Sequence, residues 1–354
     1  MSKHKAVLEA IDLSVGFRGA RGSLKVIRES LNLSLESGEL VCLLGPNGTG
    51  KSTLMRTLAG LQKPLGGQVR IEGSDIDRMS SRRLARSLAV VLTERITTSM
   101  LSGYEVVALG RNPHTDWSGK LSRRDHEVIA GALEAVQAVP LASRHVNELS
   151  DGERQRIMMA RALAQEPRVM ILDEITAFLD LPGRVDAMRI LQKVAHREGR
   201  AVLLSTHDLD LAIRSADKIW LLAKDGAVYT GSPESLVLNG ALASTFQSEG
   251  VRFEPATGAF QVQREPIGDV AVIGEGLHAL WTIRALERKG LRVTKSDSNG
   301  GIQVEVFAEG ERVHWISRRN GDFAPVRHVG KPSGYRSVCP SRRLLMFLSL
   351  DDRI

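Results

Sequence analysis

Residues 45–53, GPNGTGKST, constrain this chain more than any other stretch of it. Gly45, Gly48 and Gly50 allow the backbone to curl until several N–H groups point at one anion. A helix starting at Lys51 adds the positive end of its dipole to the same point. Together Gly45, Pro46, Asn47, Gly48, Thr49, Gly50, Lys51, Ser52 and Thr53 satisfy the spacing G-x4-G-K-[ST] of a phosphate-binding loop. In that spacing Lys51 supplies a point charge for β- and γ-phosphates, and Ser52 supplies a hydroxyl for Mg2+. Thr53 falls on the α-phosphate side. A match of this kind arises by chance in roughly one chain of this length in a hundred, so its context matters. Here the context is present. Residues 40–44, LVCLL, form a short apolar strand, and residues 51–60 read as a helix ending at Gly60.

Three further motifs follow in order. Residues 169–174, VMILDE, are a buried strand with two acids at its end. Asp173 is placed to hold Mg2+ through water, and Glu174 to polarise an attacking water as a general base. Residues 149–156, LSDGERQR, put Ser150 at a helix N-cap with Glu153 three residues on, which is the capping-box spacing. His207 lies in LLSTHDLD, just past a second apolar strand. Each motif has a bland structural reading when taken alone. Their order behind a phosphate loop favours the chemical one.

The octet at 149–156 resembles the signature motif of the ATP-binding cassette (ABC) superfamily. That resemblance implies an ATP-hydrolysing protein using ATP and Mg2+. It implies an α/β fold: a nucleotide-binding domain with a mixed sheet, an antiparallel β subdomain and a helical subdomain at about 92–165. In the family, the signature completes the opposite subunit's site, so the resemblance also implies a head-to-tail homodimer. Ser150, Gly152 and Gln155 are the matching residues. Asp151 stands where the family usually has glycine, a place where only a backbone amide is needed. His207 resembles the switch histidine that contacts the γ-phosphate. Asp180, in TAFLD, resembles the loop residue linking the two sites. Phe17 resembles the aromatic that stacks on adenine, although a Phe between strands also suits a core. The family usually carries Gln after the strand at 89–92. Here Glu94 takes that place as a third carboxylate near the metal, or Thr93 does if the register differs by one.

The stretch VVALGRNPHT at 106–115, a polar segment with Asp125, and the signature resemble the importer ATPases for iron chelates (siderophores), haem and cobalamin. Transmembrane permease subunits and an extracytoplasmic substrate-binding protein are then the implied partners, and the cytoplasmic face of the inner membrane the implied location. No apolar run reaches the 18 or so residues that cross a bilayer, and MSKHKAVLEAIDL lacks the core of a signal peptide. The formal charge is +7, with 16 Lys/Arg against 12 Asp/Glu after residue 250. These charges are interspersed and aromatics make up only 4%, so a solvated surface is expected and no nucleic acid. The competing reading is a non-transport ABC ATPase acting on nucleic acid or ribosomes. Such proteins show a long coiled-coil insertion, zinc cysteines or paired cassettes, and none of these is present. Cys42 and Cys339 are too few for a metal site.

The 354 residues suggest more than one domain. Residues 5–16 and 24–35 alternate apolar and polar positions as antiparallel strands do. Alternating strands and helices from 40 to 231 argue for a mainly parallel sheet covered on both faces. The pattern changes near 250. Residues 1–250 are therefore expected to form the nucleotide-binding domain, and 251–354 a small accessory α/β domain with a strand, a helix, a strand and a hairpin. From 324 onward no clear period survives.

Overall fold

The computed structural model describes residues 6–19, 23–92, 100–247, 251–255, 257–262, 265–294, 302–309, 312–319 and 322–326. Glu94, Thr93 and Cys339 lie outside the described residues. The chain divides into two compact units, Met1–Gln261 and Val262–Ile354.

In the first unit β1 (Ala6–Arg18) and β2 (Leu24–Glu36) pair antiparallel, and β4 (Gly66–Ile71) and β5 (Ser74–Asp75) extend the sheet beyond β1. Alternate residues such as Leu8, Ala10, Leu31, Leu33 and Leu35 are buried, as the period of two requires. A second, six-stranded sheet runs β10-β9-β3-β8-β7-β6. Its strands are β3 (Leu40–Leu44), β6 (Leu88–Val91), β7 (Val169–Asp173), β8 (Ala201–Ser205), β9 (Lys218–Leu222) and β10 (Val228–Gly231). All neighbours are parallel except β9 and β10.

Every residue of β3, β7 and β8 is buried, which explains their unbroken apolar runs. Alternate side chains feed two different cores. Cys42, Leu44, Met170, Leu172 and Leu204 join the core beneath the helices α3 (Gly103–Ala108), α4 (Arg123–Ala135), α5 (Asp151–Ala164) and α6 (Leu181–Glu198). Val41, Leu43, Ile171, Leu203 and Trp220 join the core shared with α1 (Lys51–Leu58) and the antiparallel sheet. The parallel strands thus point their carboxyl ends the same way, toward the phosphate loop.

Among the described residues the other α-helices of this unit are α2 (Ser81–Ser87), α7 (Leu209–Ser215), α8 (Pro233–Leu238) and α9 (Ala241–Phe246), and a ribbon of β11 (Val251–Glu254) and β12 (Ala259–Val262) follows α9. Phe260 lies 5.7 Å from Phe246 and 5.0 Å from Phe253, centroid to centroid. These rings pack within the first unit, which runs to Gln261.

The second unit is a five-stranded sheet ordered β14-β13-β15-β16-β17. Its strands are β13 (Gly268–Ile273), β14 (Leu291–Thr294), β15 (Ile302–Glu309), β16 (Arg312–Arg319) and β17 (Asp322–Val326), with α10 (Gly276–Arg288) between the first two. Strand β13 is parallel to β14 and β15, while β15, β16 and β17 form an antiparallel meander. Ala279 and Leu286 of α10 pack on Val270, Val272, Leu291, Val304 and Val306. Strand β17 is an addition to the elements expected from the sequence.

Candidate nucleotide site

The site is assembled at the carboxyl ends of β3, β7 and β8, where open parallel sheets collect their functional groups. The loop after β3 needs its glycines. Gly45, Gly48 and Gly50 have φ of 152°, 79° and 97°, a region that L side chains avoid. A Cβ on Gly45 would lie 2.5 Å from the Leu222 carbonyl oxygen, and one on Gly50 2.5 Å from Ile27 Cγ2. Gly50 caps α1 with no side-chain acceptor, which leaves the first-turn amides for an anion.

Lys51 is buried, and its Nζ donates to the carbonyls of Gly45 at 2.7 Å and Pro46 at 3.1 Å. Burial lowers the ammonium from its ordinary value of 10.5, while Glu174 and then Asp173 pull it back up. Thr49 braces the loop by donating from Oγ1 to the Pro46 carbonyl at 2.9 Å. Asn47 and Ser52 are exposed, whereas Thr53 is buried.

Asp173 ends β7 and is buried, and Glu174 follows with a left-handed φ of 50°. Glu174 Oε1 lies 2.7 Å from His207 Nε2. Ser205, across the ladder from Asp173, donates its hydroxyl to Asp173 Oδ1 and receives the Glu174 N–H on Oγ at 3.0 Å. Ser205 lies within LLSTHDLD, yet the sequence alone assigns it no role. Its signal is a hydroxyl closing the otherwise apolar strand AVLLS. Thr176, Thr206, Arg184 and Asp208 line an open cleft of about 420 Å³ beside Glu174 and His207.

Phe17 sits in β1 opposite Lys25 with 49% of its surface exposed, which leaves a ring face open to stack. Gln62, just beyond α1, donates to the Gly16 carbonyl at 2.5 Å and so ties that strand to the phosphate-loop helix.

The signature residues lie on a different element, at the start of α5. Ser150 forms the complete capping box with Glu153. Asp151 pairs with Arg154 at 2.7 Å, and Gln155 is half-buried in the same helix. Gly152 packs against the loop that carries Asp180: an added Cβ would sit 3.3 Å from Leu179 Cδ2 and 3.6 Å from the Phe178 carbonyl oxygen. Asp180 itself caps α6 through the Gly183 N–H at 3.0 Å. The chain therefore presents two groups. Lys51, Asp173, Glu174 and His207 form one, while Ser150, Gly152 and the Asp180 loop form the other.

A pattern shared by ABC transporters matches residues 29–177, and one for the iron ABC transporter C-terminal domain matches residues 268–327. MJ0873 of Methanocaldococcus jannaschii, an uncharacterized ABC transporter ATP-binding protein, is 40% identical over 261 residues, 74% of this chain and 88% of its own. The cobalamin import ATP-binding protein BtuD of Halobacterium salinarum is 35% identical over 325 residues, 89% of this chain and 77% of its own. The chain belongs to the family of ABC transporter ATP-binding proteins. Within that ABC family it falls in the iron-siderophore and cobalamin importer branch, as an ATPase coupled to import. The iron(3+)-hydroxamate import ATP-binding protein FhuC of Bacillus subtilis is 34% identical, over 63% of this chain and 83% of its own. The dimeric structure of MJ0796, a bacterial ABC transporter cassette, superposes with a TM-score of 0.57 at 25% identity, covering 64% of this chain and 98% of that one. The BtuD match, at 325 residues, is longer than the whole first unit and so runs into the second.

Proposed function

We propose that two copies of this chain bind two ATP–Mg2+ between them and hydrolyse ATP to drive uptake of an iron chelate, haem or cobalamin through separate permease subunits. The observation that carries this reading is the convergence of Lys51, Asp173, Glu174 and His207 at the carboxyl ends of β3, β7 and β8, with the signature serine on a different helix. Lys51 and the α1 amides hold the phosphates. Glu174 accepts a proton from the attacking water, and His207, 2.7 Å from it, keeps that carboxylate turned toward the γ-phosphate. Phe17 stacks on adenine. Ser150 and Gly152 of the second copy close the far side of the phosphates with backbone amides, while Asp180 links the two sites.

Among the described residues no group of three or more His, Cys, Asp or Glu side chains is arranged to hold a metal ion by itself. That suits Mg2+, which keeps waters and substrate phosphates in its shell and takes few protein ligands. Ser52 and Asp173 offer it hard oxygens, and the bound ion neutralises charge on the phosphates. No helix among the described residues is long and apolar enough to cross a membrane. We assign the crossing to the permease, which docks on the helical region around α3, and the delivery of cargo to an extracytoplasmic binding protein. The chain then works at the cytoplasmic face of the inner membrane.

Replacing the chromosomal copy by Glu174→Gln tests the transport reading. Accumulation of labelled cobalamin or of a labelled ferric hydroxamate or haem should cease in the source cell and return with the native copy. Unchanged accumulation of all three would contradict it.

A further inference from the structure

We infer that Ser205 is a positioning residue that holds the metal-binding Asp173 and the catalytic Glu174 with one hydroxyl, and so sets the Mg2+ requirement of the site. The inference rests on the roles proposed above for those two acids. Strand β8 reads Ala201, Val202, Leu203, Leu204, Ser205, and Ser205 is fully buried. A buried hydroxyl in an apolar strand is costly unless it is hydrogen-bonded, and Ser205 is bonded on both sides.

The donor count fixes how. A serine hydroxyl has one proton to give and lone pairs to receive. The Glu174 N–H takes a lone pair at 3.0 Å and also reaches the Ser205 carbonyl oxygen at 3.2 Å. The hydroxyl proton is therefore the one directed at Asp173 Oδ1. This orients the Asp173 carboxylate through its Oδ1. It also pins the peptide of Glu174, whose left-handed φ of 50° needs an anchor. Alanine at this place would remove the hydroxyl's hold on Asp173 Oδ1 and would leave the Glu174 peptide with the Ser205 carbonyl as its acceptor. Ser205 also starts the segment that carries Thr206 and His207, and Thr206 Oγ1 lies 3.3 Å from Thr176 Oγ1 while receiving the Asp208 N–H at 3.0 Å. The acid strand and the histidine loop thus share one anchor.

The test uses the full chain. In a Glu174→Gln background, which binds nucleotide without turning it over, Mg2+ is titrated against a fluorescent ATP analogue. Adding Ser205→Ala should raise the half-saturating Mg2+ concentration about tenfold, the worth of one hydrogen bond to a charged group. Affinity in EDTA should stay within twofold. With Glu174 intact, Ser205→Ala should lower kcat about tenfold and leave KM for ATP little changed. Ser205→Thr, which restores the hydroxyl, should recover both. A native Mg2+ requirement and native kcat in Ser205→Ala would overturn the inference. If that variant does not fold, Ser205→Cys, of similar size and a poor donor, takes its place, and native behaviour there overturns it equally. Asp173→Asn is the control. If it raises the Mg2+ requirement and Ser205→Ala does not, the positioning role alone fails. If Asp173→Asn itself changes nothing, the metal role of Asp173 falls and the inference with it.

Discussion

At the scale of single residues, the site combines groups that would be unfavourable anywhere else. Lys51 is a buried cation whose ammonium is held by two carbonyls and two neighbouring acids. Glu174 keeps a backbone conformation that costs on the order of 1 kcal/mol outside glycine. In the proposed site a bound phosphate offsets the first of these, since it supplies the counter-charge that burial calls for. Lys51→Ala should therefore weaken ATP binding at least tenfold while leaving the fold intact, as read by fluorescent nucleotide titration and thermal melting. Unchanged affinity would remove the loop assignment. Cys42 is the opposite case. Burial first, and then Asp217, push its thiol up to about 12, so it is a core side chain without reactive chemistry.

At the scale of elements, a buried ion cluster joins the helical region to the end of α5. Arg111 Nε meets Asp125 Oδ1 at 2.8 Å, and Arg111 Nη1 reaches Glu166 at 2.8 Å and the Ala164 carbonyl at 2.6 Å. The Ser122 hydroxyl, and after it the Arg111 guanidinium, outweigh burial and hold the Asp125 carboxyl at about 2. A carboxyl depressed below its ordinary 3.8 adds stability that is complete above that value and is lost as pH falls through about 2. Asp125→Asn should cost about 3 kcal/mol near pH 7, because it leaves Arg111 buried without this partner, and the gap from the native chain should close toward pH 2. Urea unfolding at several pH values reads both, and a pH-independent difference would contradict the assignment. The same scale shows what the sequence made legible. Strands β3, β7 and β8 are buried on both faces, and so their apolar runs stand out. The phosphate loop, the acid pair and the capping box are local patterns, visible in a few consecutive residues. Strand β4 opens with Gly66 and Gly67, and β17 contains Pro325, so neither carries a clear alternation; each exists because a neighbouring strand completes its ladder. The bond from Ser205 to Asp173 spans 32 residues and appears only once β8 lies against β7.

At the scale of the whole molecule, the extent of the first unit and the proposed pairing of two chains each make a testable prediction. Phe246, Phe253 and Phe260 form one ring cluster that ties the β11–β12 ribbon to α9. A chain ending at 262 should keep the ribbon, melt as a unit and bind ATP within twofold of the full chain. A chain ending at 250 loses Phe253 and Phe260 and should be less stable by roughly 3 kcal/mol. Equal melting of the two would place the boundary earlier. The signature helix and the phosphate loop belong to separate groups on one chain, and a second copy is what we propose brings them together. Light scattering on the Glu174→Gln chain with ATP and Mg2+ tests this most directly. The mass should double on adding nucleotide, and it should stay that of a single chain when Ser150→Arg is added, even though ATP still binds. A Glu174→Gln chain that binds ATP and remains single, or a Ser150→Arg chain that pairs as readily, would contradict the composite site.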